Sequence, residues 1–351
     1  MRFFACLLLA LAPLTAMADP DGIVQLPYVY REAPSDVRIK ALPWHVADLD
    51  MPRHWKHTGA GKGTRWAIVD TGLDADHPEF KGKKIVGKNF VGRRTENWSD
   101  DNDHGSHVVG IGAGLNVGMA PACDDLIIAK VLRANGSGPN SAVSAGIKWA
   151  ARQEPPPNVM NISLGGAIDD PETRDAVYFA KQRGCLVFIA TGNEGASEVG
   201  YPAQHGVGIG AVDRARVLAY FSNKGKFCDA VGSGVNVYSS IPGGRYAEFS
   251  GTSMATPFIC GIALNRLSAE LKHTGRITTN TDEELLKLEN FTNDLGEPGR
   301  DPSYGRGFPD CDRLFYEGLT TVTPPTDPNC ELPPTITVLI GGKQAEYQLS
   351  P

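Results

Sequence analysis

Short apolar runs alternate with segments of helical periodicity along most of the chain from residue 65 onwards. The apolar runs have the length of buried strands, and they cover residues 66–69, 126–132, 159–164, 186–190 and 207–212. The intervening segments carry apolar residues at helical spacing, and they cover residues 141–152, 171–183 and 253–271. Strands that are apolar throughout and that alternate with helices predict an α/β fold. We therefore expect a single domain, built on a mostly parallel sheet with helices on both faces.

The two ends of the chain differ from this central pattern. Residues 1–18 contain an early arginine, a short apolar run and the small residues Ala16 and Ala18, which is the composition of a secretory signal peptide. Residues 19–43 predict an N-terminal extension, and residues 317–351 predict a Thr- and Pro-rich linker with a tail that includes one short strand, 336–340. We expect the folded domain over residues 44–316, and we expect the protein to be secreted, either to the extracellular space or to the periplasm.

Composition and charge exclude several classes of partner. The 351 residues are 41% hydrophobic and 21% charged, which is typical of a globular protein, and the formal net charge is −6. A mildly acidic protein does not favour nucleic acid or an anionic membrane. The apolar run near the start is too short to span a bilayer and contains Pro13. We expect a monomer with no nucleic-acid partner and no membrane span.

The cysteines favour neither a metal site nor a redox motif. Seven are present, and no pair has the Cys-x-x-Cys spacing of zinc or thioredoxin-type sites. Cys185 and Cys260 lie in apolar patterns, so we expect them to be buried and unbridged. Cys311 and Cys330 could form a disulfide in the exported protein, but the sequence leaves the pairing open.

Three separate segments carry residues that suit nucleophilic catalysis. Asp70 directly follows the apolar run 66–69, His104 begins a segment rich in glycine and valine, and Ser253 begins the stripe 253–271. Each has an ordinary structural interpretation when taken alone: a turn aspartate, a structural histidine and an N-cap serine. Their order along the chain is Asp, His, Ser, which is the order of the triad in subtilisins.

Taken together, the segments resemble the three active-site signatures of the subtilisin-like serine peptidases, the subtilases. The matching segments are Asp70-Thr71-Gly72-Leu73-Asp74, His104-Gly105-Ser106-His107-Val108-Val109-Gly110 and Gly251-Thr252-Ser253-Met254-Ala255-Thr256-Pro257. The resemblance extends over residues 44–315 and implies a serine endopeptidase that acts on polypeptides and needs no cofactor for its chemistry. The implied catalytic triad is Asp70, His104 and Ser253.

The resemblance also implies a role for each catalytic group. Ser253 is the nucleophile, His104 removes and later returns its proton, and Asp70 orients the imidazole. Asn193 resembles the residue whose amide binds the oxyanion together with the Ser253 backbone N–H. Taken alone, Asn193 also has the ordinary interpretation of a turn residue.

A substrate-binding surface follows from the same resemblance. The strand Ser163-Leu164-Gly165 and the segment Gly136-Ser137-Gly138 are expected to pair with an extended peptide on its two sides. The residues expected to line the primary side-chain pocket are Ala190, Thr191, Gly192 and Gly200. Gly200 is equally consistent with a glycine that only shapes a turn.

The chain departs from the family pattern at several positions. Residues 114–118 form a short loop in place of the longer loop that carries a tight calcium site in many bacterial members. The sequence leaves the question of structural calcium open. Asp74, Glu79 and Asp124 or Asp125 offer oxygen donors, but they form no ordered series of ligands, so no metal ligand is predicted. Pro257 is expected in the first turn of its helix, where its missing N–H does no harm.

Two alternative functions compete with the endopeptidase. An inactive subtilisin-like fold could serve as a binding protein, but such a protein would usually have lost a catalytic residue. A serine esterase is the other alternative, and the absence of a Gly-x-Ser-x-Gly elbow around Ser253 argues against it.

Overall fold

The fold was obtained as a computed structural model, which describes residues 23–26, 30–31, 42–277, 292–316, 335–340 and 343–348. The chain divides into two compact units, Met1–Leu319 and Thr320–Pro351. The predicted signal peptide, most of the predicted extension and the linker lie outside the described residues, so their boundaries stay predictions.

A seven-stranded sheet forms the centre of the first unit. All of its neighbouring strands are parallel, in the order β10-β9-β8-β7-β3-β5-β4. These strands are β3 (Arg65–Asp70), β4 (Lys84–Asn89), β5 (Asp125–Lys130), β7 (Val159–Ile162), β8 (Leu186–Ala190), β9 (Val207–Val212) and β10 (Ala230–Ser233). Every residue of β3, β7 and β8 is buried, which requires that both faces of the sheet are covered.

Helices provide that cover. α4 packs against α5, and α3 packs against α6. The α-helices that the structure describes in this unit are α1 (Trp44–Ala47), α2 (Met51–Thr58), α3 (His104–Ala113), α4 (Asn140–Ala151), α5 (Pro171–Gln182), α6 (Thr252–Thr274) and α7 (Cys311–Tyr316). Gly112 of α3 lies against the ring of Trp66, where a Cβ would stand 2.2 Å from the indole, so this helix approaches the sheet closely only because the residue is glycine.

Small antiparallel sheets complete the structure. β11 (Val237–Ile241) and β12 (Arg245–Ser250) form a hairpin that β2 (Tyr30–Arg31) extends, and β1 (Ile23–Gln25) pairs with β6 (Ser137–Pro139). β13 (Thr292–Asn293) pairs with β14 (Phe308–Pro309). In the second unit, β15 (Thr335–Ile340) and β16 (Lys343–Gln348) form a hairpin.

The structure confirms the predicted fold class, a parallel α/β sheet with helices. The apolar runs at 186–190 and 207–212 coincide with β8 and β9, and the other predicted strands and helices differ from the observed ones by a few residues at their ends. The tail was predicted to contain one short strand, which is corrected to a two-stranded hairpin, because a lone strand leaves its backbone groups unpaired.

The cysteines are buried as single thiols where the structure describes them. Cys185 and Cys260 are fully buried and unbridged, as predicted. Cys311 is also a buried free thiol, and its suggested partner Cys330 lies outside the described residues. No helix in the described ranges is long and apolar enough to cross a membrane.

Candidate active site

The three predicted catalytic residues lie at element ends that the fold brings together. Asp70 is the last residue of β3, His104 is the first residue of α3, and Ser253 is the second residue of α6. In an open parallel sheet, the carboxyl ends of the strands and the helix starts that follow them meet at one edge. All three side chains are fully buried.

The Asp70 carboxylate holds the His104 ring. Nδ1 of His104 lies 2.8 Å from Oδ1 of Asp70, and the same oxygen accepts the Thr71 backbone N–H at 2.7 Å. An ionised carboxylate can only accept hydrogen bonds, so the ring proton belongs on Nδ1. This leaves Nε2 as the basic nitrogen of the imidazole.

The Ser253 hydroxyl points to a neighbouring strand end in this structure. Its Oγ donates to the Ser163 carbonyl at 3.2 Å, while His104 Nε2 is buried and has no hydrogen-bond partner among the described residues. The structure thus brings Asp70 and His104 into direct contact, but it does not show the hydrogen bond from Ser253 to His104. Such bonds are often absent before substrate binds, and here proton transfer requires the Ser253 hydroxyl to leave Ser163.

A buried carboxylate organises the start of the histidine helix. Asp100 accepts the Thr71 hydroxyl at 2.8 Å and the Ser106 backbone N–H at 2.8 Å, and Thr71 in turn accepts the Gly105 N–H. Burial raises the pKa of Asp100, and these hydrogen bonds oppose the rise. Asp103 has φ of 87°, a strained value for a residue with a side chain, so the bonds of Asp100 hold a strained turn directly before His104.

Asn193 is oriented by the residue that precedes the nucleophile. Its Oδ1 accepts both the backbone N–H and the hydroxyl of Thr252, each at 2.8 Å. With the carbonyl oxygen directed at Thr252, Nδ2 lies beside Gly251, 3.0 Å from where a Cβ on that glycine would stand. The amide nitrogen therefore lies close to the first turn of α6, whose backbone N–H groups have no helical acceptors.

The predicted position of Pro257 was wrong, and the correction explains a contact to the nucleophile. α6 begins at Thr252, so Pro257 is its sixth residue and cannot donate to the carbonyl four residues earlier, that of Ser253. The Ser163 hydroxyl supplies this missing bond at 3.0 Å and itself accepts from Asn161 Nδ2 at 2.9 Å. Ser163 thus links the predicted substrate strand to the helix of the nucleophile.

One predicted substrate edge is occupied by the chain itself. Ser137 and Gly138 lie in β6, which pairs with β1 in the register Ile23↔Pro139, Val24↔Gly138 and Gln25↔Ser137. Beyond the strand, the Leu26 N–H donates to the Gly136 carbonyl at 2.9 Å. Nothing in the composition of residues 19–43 predicted this strand, and the edge expected to receive substrate is covered by the N-terminal extension.

The remaining predicted binding residues are brought together by backbone hydrogen bonds. Gly200 donates to the Thr191 carbonyl at 2.9 Å, and Gly166, directly after the segment Ser163-Leu164-Gly165, forms a two-way bridge with Tyr201. A Cβ on Gly165 would stand 3.0 Å from the Tyr201 carbonyl oxygen, so the segments that contain these two residues lie close together. The structure therefore brings residues 163–166, 190–192 and 200–201 next to one another; their contact with substrate stays a prediction.

Neither the second histidine nor the acidic side chains form a metal site in the described ranges. No group of three His, Cys, Asp or Glu side chains there has the geometry to hold a metal ion. His107 stacks on Phe249, and burial lowers its pKa to about 3. Glu79, one of the candidate oxygen donors, is fully buried and accepts from the backbone and side chain of Asn116 and from the Tyr246 hydroxyl.

Sequence reasoning missed four residues that position the catalytic groups. They are Thr71, Asp100, Ser163 in its side-chain role, and Thr252. Thr252 stood next to the nucleophile in the recognised segment, and that position was the only signal for it. Asp100 was not distinguishable from the neighbouring acidic residues of its loop.

The sequence is similar to those of known serine proteases. The sequence model of the Subtilase family matches residues 61–307. An intracellular serine protease of Paenibacillus polymyxa is 39% identical over 247 residues, covering 66% of this chain and 74% of that protein. The major intracellular serine protease of Bacillus subtilis (strain 168) is 38% identical, with 69% and 79% covered, and a subtilisin of Bacillus pumilus is 35% identical, with 65% and 86% covered. The chain therefore belongs to the subtilase family.

Proposed function

We propose that this chain is a serine endopeptidase that cleaves polypeptides through an acyl-enzyme. The observation that carries the proposal is the buried contact of 2.8 Å between His104 Nδ1 and Asp70 Oδ1, which leaves Nε2 as the basic nitrogen of the ring. The serine proteases among the relatives support the same activity.

The reaction begins with proton transfer from Ser253 to His104. As the Ser253 hydroxyl turns from Ser163 to Nε2, the oxygen attacks the carbonyl carbon of the scissile bond and its proton passes to the imidazole. Asp70 stabilises the imidazolium that results. The imidazolium then gives the proton to the leaving amine, the C–N bond breaks, and the acyl group stays on Ser253 until water, activated by the same base, removes it.

Negative charge on the substrate oxygen is stabilised by two donors. Asn193 Nδ2 and the Ser253 backbone N–H donate to it, and the positive end of the α6 dipole adds to their effect. Thr252 keeps the amide of Asn193 in the orientation that directs Nδ2 towards this position.

Labelling with a fluorophosphonate and digestion of casein test this proposal. We expect the wild-type chain to be labelled and to digest casein, and we expect Ser253→Ala to lose both properties while its unfolding transition stays the same. Labelling together with hydrolysis of simple esters but not casein would favour the esterase. Absence of labelling and of all hydrolysis would favour the inactive binding protein.

We also propose that the protein is exported. The basis is the signal-type composition of residues 1–18, whereas two of the similar relatives are named intracellular proteases. Expression of the full chain followed by fractionation and N-terminal sequencing tests this. A product outside the cytoplasm that begins at Asp19 supports export, and a full-length product confined to the cytoplasm contradicts it.

A further inference from the structure

A side-chain pair joins two segments that begin at predicted pocket residues, and these segments are called the two walls. One wall is the segment that continues from Gly165 and Gly166 to Asp169, and the other is the segment from Gly200 to His205. Nε2 of His205 lies 2.8 Å from Oδ1 of Asp169. The side chain of His205 is 12% exposed and that of Asp169 is 32% exposed, so the pair is partly shielded from water.

Each partner stands a few residues from a backbone bridge between the two walls. The Gly166 N–H donates to the Tyr201 carbonyl at 2.8 Å, and the Tyr201 N–H donates to the Gly166 carbonyl at 2.9 Å. Asp169 follows Gly166 by three residues, and His205 ends the short 3-10 helix Ala203–His205 that follows Tyr201. The side-chain pair and the backbone bridge are therefore two ties between the same two segments.

Asp169 and His205 each contact further residues that hold their side chains in place. The other carboxylate oxygen of Asp169 accepts from Arg174 of α5 at 2.9 Å, and Asp170 caps the start of that helix through the Thr173 N–H. The His205 ring packs edge-on against Tyr178 and lies 5.7 Å from the Tyr201 ring. The pair thus connects a helix-anchored wall to the wall that carries Gly200 and Tyr201.

We propose that the Asp169–His205 pair determines selectivity by fixing the separation of these walls. The inference rests on the proposed peptidase function and concerns the substrate residue that supplies the scissile carbonyl. A large apolar side chain of the substrate would contact both walls and bind more tightly because their spacing is fixed, whereas the methyl group of alanine would make little contact with either wall. His205 and Asp169 are positioning residues, because they act on substrate through the Gly166–Tyr201 backbone.

Peptide anilides that differ only in this residue, with alanine, leucine or phenylalanine, test the proposal. We expect His205→Ala to lower the phenylalanine-to-alanine ratio of kcat/KM by about tenfold, within the range by which pocket contacts discriminate substrates. The change should lie mainly in KM, because Asp70, His104 and Ser253 are untouched. His205→Gln should retain most of the ratio, since its amide can still donate to Asp169.

Arg174→Ala is the matched control. It removes the other partner of the same carboxylate, while the Asp170 cap still holds this wall on α5 and the His205 bond stays in place, so the ratio should stay as in the wild type. An unchanged ratio in His205→Ala, an equal fall for all three peptides, or no rescue by His205→Gln would each overturn the proposal. Failure of the peptidase function itself would be seen separately, as a wild-type chain that cleaves none of the anilides.

Discussion

The strand that the N-terminal extension adds to β6 should compete with substrate. Residues Ile23–Gln25 occupy the edge Ser137–Pro139, and β2 pairs with Phe249 and Ser250, just before the nucleophile. A mature chain that begins at residue 42 lacks both strands and exposes the edge. We expect this truncation to lower KM for a peptide substrate and to leave kcat unchanged, because it leaves Asp70, His104 and Ser253 in place.

The size of the effect follows from the pairing. Three register pairs and the bond from Leu26 to Gly136 correspond to about three main-chain hydrogen bonds, worth a net of about 1 kcal/mol each. Since about 1.4 kcal/mol is a factor of ten in an equilibrium, these bonds favour the paired state by roughly 100-fold. Ordering the extension offsets part of this gain. We therefore expect KM to fall by about 10- to 100-fold.

Steady-state kinetics on one anilide substrate measure the effect. The truncated chain is compared with the chain that begins at Asp19, and with Leu26→Pro and Leu26→Ala in that longer chain. Leu26→Pro removes the N–H that donates to the Gly136 carbonyl and should lower KM part of the way towards the value of the truncated chain. Leu26→Ala retains this N–H and is the control for loss of the leucine side chain. A synthetic peptide of residues 19–31 should inhibit the truncated chain competitively.

An equal KM for the long and truncated chains would refute the reasoning. So would a peptide of residues 19–31 that does not compete with substrate at concentrations far above KM. A fall in kcat together with broadened unfolding would instead mean that the extension supports the fold, and the competition argument would be wrong.

Three further outcomes follow from the site and its surroundings. Asn193→Ala should lower kcat by about 10²–10³ with little change in KM, because the donor acts mainly on the oxyanion of the transition state. Glu79→Ala removes a buried carboxylate that accepts three hydrogen bonds, two from Asn116 and one from Tyr246, whose donors water can partly reach, so urea unfolding in a Ser253→Ala background should show a loss of roughly 1–3 kcal/mol. Burial lowers the pKa of His107 to about 3 and that of His45 to about 4, from an ordinary 6.5. Below pH 6.5 the unfolded chain therefore binds more protons than the folded chain. Above pH 6.5 these two histidines should not change the free energy of unfolding, measured by urea titration at several pH values. It should fall by about 1.4 kcal/mol per pH unit for each histidine as the pH drops towards 4.

The sheet was largely predictable, and the candidate catalytic residues were recognisable, because their signals are local. A strand buried on both faces needs an unbroken apolar run, and the runs at 186–190 and 207–212 met that condition along β8 and β9. The triad was recognisable because each member stands in a segment with its own pattern of neighbours. The helix of the nucleophile was located as well, although Pro257 was placed one turn too early.

The sequence by itself therefore determined five of the seven strands of the central sheet, their parallel arrangement and the candidates for the reactive groups. Only the tertiary structure decided which groups hold them in place. Thr252 orients Asn193, which lies 59 positions away in the sequence. The Ser163 hydroxyl donates to the Ser253 carbonyl, 90 positions away, which has no helical donor because Pro257 lacks an N–H. Such contacts leave no local pattern, because a threonine or serine hydroxyl satisfies equally well any acceptor that the fold brings near. The pairing of the N-terminal extension with β6 was decided in the same way, since almost any backbone can form the hydrogen bonds of an open strand edge.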